Sequence, residues 1–60
     1  MNLSAKELQF LGDELCSEQL LVKKYTQYAC AAEDPQLKTQ FEQIAAAHSK
    51  HYERLRSHLN

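Results

Sequence analysis

Apolar residues step through this chain at alternating intervals of three and four, and the pattern breaks once, at Asp34-Pro35. Leu8, Leu11, Leu15, Glu18, Val22, Tyr25, Ala29 and Ala32 form the first series; Leu37, Phe41, Ile44, His48, His51 and Leu55 form the second. Such spacing puts every member of a series on one face of an α-helix, whereas a half-buried strand needs alternation by two. The break has its own logic. A residue before proline is pushed out of the α region, while proline itself suits the first helical position, with Asp34 as the cap. Ser4 and Glu7 stand at capping-box spacing at the other helix start. The pattern predicts an all-α antiparallel hairpin in one domain, 1–60, with helix 1 over about 4–32 and helix 2 over about 35–59. Gly12 interrupts helix 1 at a cost of about 1 kcal/mol against alanine, which would mark close packing or a kink.

Composition removes other classes. One glycine and one proline in 60 residues exclude a turn-rich β fold. Seven basic and eight acidic side chains give a net charge of −1, no electrostatic footprint for nucleic acid or an anionic membrane. The longest apolar runs, 29–32 and 44–47, fall far short of the roughly 18 residues of a spanning helix. Met1-Asn2-Leu3-Ser4 begins no signal peptide, so the expectation is a soluble cytoplasmic chain. Cys16 and Cys30 would lie about 21 Å apart on one helix, too far for a bridge, and read as free thiols.

Flanking residues widen both stripes: Phe10, Leu21 and Tyr28 on helix 1, Ala45, Tyr52 and Leu59 on helix 2. One hairpin cannot cover two stripes this wide. A homodimer forming a four-helix bundle is the economical expectation.

Glu18, His48 and His51 are the misfits, ionisable groups on an apolar seam. Measured from the turn, all three fall about 22–26 Å along the hairpin, so one carboxylate faces two imidazoles at one level. His48 and His51 are an i, i+3 pair, and two nitrogens with one carboxylate oxygen form the ligand set of many zinc and iron sites. Each residue also has a plainer reading. Glu18 alone can fix helix register, and a Glu–His hydrogen bond satisfies both groups without an ion. Tyr25 lies one heptad from Glu18 and Tyr52 adjoins His51; either phenol could hydrogen-bond a metal ligand, or simply pack. Lys23-Lys24, Arg54, Arg56 and His58 read as solvated charge or dipole partners.

Glu18, then residues 25–32, then Phe41-Glu42, His51 and Arg54-Leu55 resemble the first helix pair of the rubrerythrin branch of the ferritin-like superfamily over about residues 18–59. In its shortness the chain also resembles the spore coat F family. The resemblance implies a ferritin-like four-helix bundle built from two hairpins, with a divalent metal, zinc or iron, at its centre. It implies Glu18 as the helix 1 carboxylate ligand and His51 as the histidine of Glu-x-x-His, and it brings in spore coat proteins as partners. One position departs from that pattern: His48 stands where the family has its metal-bridging glutamate. Imidazole neither bridges two ferric ions nor neutralises their charge, which argues against ferroxidase or peroxidase turnover and for separate Glu-His-His sites holding a late divalent ion. Two other readings compete. One is a structural or interaction module with a degenerate site. The other is a Rop-like RNA-binding hairpin dimer, which the absence of a basic stripe disfavours.

Overall fold

Helix α1 begins where Ser4 closes a capping box. Its hydroxyl accepts the Glu7 N–H at 3.1 Å, while the Ser4 N–H donates to Glu7 Oε1 at 3.0 Å. The bond from the Ser4 backbone N–H foremost, and then the Ser4 hydroxyl beside it, hold the Glu7 carboxyl below its ordinary pKa. The computed structural model describes residues 3–59, and α1 runs Ala5–Ala31. A three-residue link ends at Asp34, whose Oδ1 accepts the Gln36 N–H at 2.9 Å, and Pro35 opens α2, Pro35–Arg56. The two helices pack along their length into a rod with extents of 46 × 14 × 11 Å. Among the described residues there is no strand, and no helix is long and apolar enough to cross a membrane.

Two expectations are corrected. Helix 2 stops at Arg56, and residues 57–59 tighten into a 3₁₀ turn, α3, Ser57–Leu59. There the Ser57 hydroxyl donates to the Arg54 carbonyl at 2.6 Å, a local bond that competes with helix continuation. The second correction concerns the seam of α2. Phe41, Ala45, His48, Tyr52 and Leu55 turn inward, while Leu37, Ile44 and His51 remain exposed beside them. Both series have heptad spacing, and the stripe is wide enough to hold either. On α1 the expected seam is met by Leu11, Leu15, Glu18, Val22, Tyr25, Ala29 and Ala32, all buried or half-buried; Leu8 at its outer end is exposed.

This seam divides the remaining surface. In an antiparallel pair, the residues immediately preceding alternate seam positions (15, 22, 29 and 45, 52), with Leu37 one heptad before Ile44, fall to the same side of the hairpin. Those residues are Glu14, Leu21 and Tyr28 on α1, and Leu37, Ile44 and His51 on α2. The residues immediately following the intervening seam positions (11, 18, 25 and 41, 48, 55) lie on the other side: Gly12, Gln19 and Thr26, with Glu42, Ser49 and Arg56. One side is therefore mostly apolar and the other polar. The hairpin is also under-buried. Its accessible surface is 4797 Å², against about 4,000 Å² for a compact monomer of this mass.

Gly12 has neither a positive φ nor a neighbour within 4 Å of where a Cβ would sit, so neither packing nor strain requires it. Gly12→Ala should stabilise the fold by about 0.5–1 kcal/mol in a denaturant titration, and a loss of stability would show that something packs there. The cap gives a second prediction. Because folding lowers the Glu7 pKa, its contribution is present above the unfolded carboxylate range and lost as pH falls through the folded value. Glu7→Gln should therefore lose stability against wild type at neutral pH but not in acid, as read by thermal melts across that range.

Candidate metal centre

Seam geometry brings the three misfits together. Glu18 projects from the middle of α1 into the interface and is buried. His48 and His51 meet it from one turn of α2. The Nδ1 of His48 lies 2.6 Å from Glu18 Oε1, and the Nδ1 of His51 lies 3.2 Å from Oε2. Each carboxylate oxygen thus has its own imidazole. The two rings stand 5.6 Å apart and nearly perpendicular, at 88°, so their nitrogens converge on the carboxylate from different directions.

Burial is graded across the group. The Glu18 side chain is 11% exposed, His48 23% and His51 49%, so the site opens to solvent on its His51 edge. That edge is the apolar side of the hairpin. Among the described residues no lysine or arginine pairs with Glu18, so the carboxylate depends on the two imidazoles for partners. With its proton on Nδ1, His48 donates to Oε1 and the pair is satisfied; an ion at the same place would displace that proton.

One atom from each residue lies within 4.8 Å of the others, and the group could hold a metal ion. Ligands about 2.1 Å from a tetrahedral ion stand roughly 3.4 Å apart; the carboxylate–imidazole gaps of 2.6 and 3.2 Å, made to different oxygens, need less than an ångström of spreading, while separations in the group that reach up to 4.8 Å must close around an ion. Three protein ligands leave at least one coordination position for water or another ligand. Two imidazoles and one carboxylate suit zinc, and also ferrous iron.

The two tyrosines serve the site differently from each other. Tyr25 reaches it with its ring: its plane stacks on His48 at 6.0 Å and 12°. The same ring packs against Phe41 at 6.0 Å and Tyr28 at 5.7 Å, so His48 is backed by an aromatic cluster. Tyr52 sits on the seam next to His51, yet its hydroxyl accepts a hydrogen bond from Gln19 Nε2 at 3.3 Å, on the polar side. Sequence spacing alone did not reveal that Tyr25 would act through ring stacking, although its one-heptad offset from Glu18 does place it beside His48. Cys16 and Cys30 are free and exposed on the outside of α1, and neither belongs to the ligand group.

No protein-family model, curated protein or solved structure matches this chain.

The 2.6 Å contact makes a prediction for the metal-free protein. In chelator at about pH 8, nitrogen NMR should find the His48 proton on Nδ1. Glu18→Leu should abolish that preference. An Nε2 proton in wild type would mean that the carboxylate does not hold the ring.

Proposed function

We propose that this chain is a small ferritin-like metal-binding protein. In this reading, Glu18, His48 and His51 hold one divalent ion, zinc or ferrous iron, and two hairpins pair into a four-helix bundle around their sites. The observation that carries the reading is the convergence of two imidazole nitrogens on one buried carboxylate, with Glu18 and His48 standing where the heptad pattern calls for apolar side chains. Burying these groups in place of leucine-like residues costs stability, and an ion repays it. The likeness to the rubrerythrin branch rests on the residues quoted above, and spore coat association rests on that likeness alone. Binding is favoured over turnover. Without a bridging carboxylate at position 48, the site lacks the group that would hold two ferric ions together.

The hydrogen bond from His48 supports one rival reading. In that reading the imidazoles alone satisfy Glu18, and the group acts as a register device in a structural module. Thermal melts separate the two. With a chelator, Glu18→Leu should melt at or above wild type, since it removes the buried carboxylate, whereas His48→Leu and His51→Leu should melt below it, because each takes a partner from that carboxylate. With excess zinc all three should fall further relative to wild type, and Glu18→Leu should change sign, because wild type gains binding free energy that each variant has lost. Calorimetry should find one zinc per wild-type chain and little binding to any of the three variants. If the variants keep the same stability relative to wild type with and without zinc, Glu18 is a register device.

A further inference from the structure

We infer that metal uptake and self-association are one coupled equilibrium, in which a second copy of the chain covers the apolar side of the hairpin and closes the open edge of the site. The inference rests on the proposed metal site and adds the surface that regulates it. His51 is the link. It is a member of the ligand group and it also lies in line with Leu37 and Ile44, each seven residues from the next, on the side that exposes Tyr28 as well.

Area identifies the occupant. The accessible surface exceeds that of a compact monomer by roughly 800 Å², about what one partner contributes to a standard interface. A patch of leucine, isoleucine and tyrosine is complementary to itself, as a two-fold interface requires. The opposite side offers no equivalent, since its six positions are Gly12, Gln19, Thr26, Glu42, Ser49 and Arg56.

Each event lowers the cost of the other. Without an ion, covering this side buries a carboxylate and a half-exposed imidazole with little to offset their desolvation. A divalent cation neutralises Glu18 and gives both imidazoles a partner, so the covered state becomes cheaper. Conversely, covering the edge excludes water from the ion and confines the His51 ring, which strengthens the metal–ligand attraction and removes ordering cost from binding. Linkage makes the effect reciprocal. For two equivalent sites, dimerisation should tighten as the square of the factor by which each site tightens.

The test uses zinc and the full chain. Sedimentation equilibrium with chelator and with saturating zinc gives the dimer dissociation constant; zinc titrations below and above that concentration give the affinity of each state. The expected result is about tenfold tighter zinc binding in the dimer and about hundredfold tighter dimerisation with zinc. Leu37→Glu charges the apolar side well away from the ligands. It should weaken dimerisation and, at the same protein concentration, lower zinc affinity, while Leu20→Glu on the exposed outer face should change neither. A dimer constant indifferent to zinc, or equal zinc affinity in monomer and dimer, overturns the coupling and leaves metal binding standing. Zinc-independent dimerisation together with no zinc binding at any concentration overturns the metal site itself. The wild-type concentration series decides the matter even if Leu37→Glu does not fold.

Discussion

Burial of the Glu18 carboxylate in an otherwise apolar interface is the constraint on which the rest depends. A carboxylate removed from water costs several kcal/mol unless charge and hydrogen bonds replace the lost hydration. Here the replacement comes from α2, through two imidazoles that reach it only if the helices hold one particular register. Sliding α2 by a single turn would carry the rings about 5.4 Å from the carboxylate and leave it stranded. The Asp34-Pro35 start enforces that register from the far end, because it fixes where α2 begins relative to the end of α1. The cap and the polar triad therefore specify one alignment from two places.

Packing around the triad follows from residue size. Ala29 and Ala45 are among the few buried apolar side chains, and these small residues alternate along the seam with the rings of Tyr25 and Phe41. The aromatic rings gather on the turn side of the triad, and Tyr25 braces His48 there. His51 has no such brace on its outer edge. The asymmetry between a packed histidine and a half-exposed one makes the site sensitive to whatever lies against the apolar side.

Much of this was legible in the chain itself. The alternating intervals of three and four located α1 and its seam, and the capping residues located both helix starts. Counting from the turn places Glu18 level with His48 and His51 from the sequence alone. The boundary between the seam of α2 and its flank was not legible, because the apolar stripe spans both 37/44/51 and 45/52 and periodicity alone cannot choose between two overlapping heptad registers. For Tyr25 and Tyr52 the sequence left packing and hydrogen bonding both open, for a related reason. Spacing places a ring beside the site, but whether it uses its face or its hydroxyl depends on what stands around it, and Gln19 draws the Tyr52 hydroxyl to the polar side. The closing 3₁₀ turn depends on one serine hydroxyl, a signal too local to appear in a periodic pattern.

The account stands or falls on whether Glu18, His48 and His51 are the ligands. X-ray absorption at the zinc edge on loaded wild-type protein examines those ligands directly. The account predicts nitrogen and oxygen neighbours at about 2.0–2.2 Å, with the multiple-scattering signature of two imidazoles per ion and no sulfur. A sulfur shell at about 2.3 Å would place the ion on Cys16 or Cys30, and a shell without imidazole scattering would place it on surface carboxylates. Either result would contradict the account.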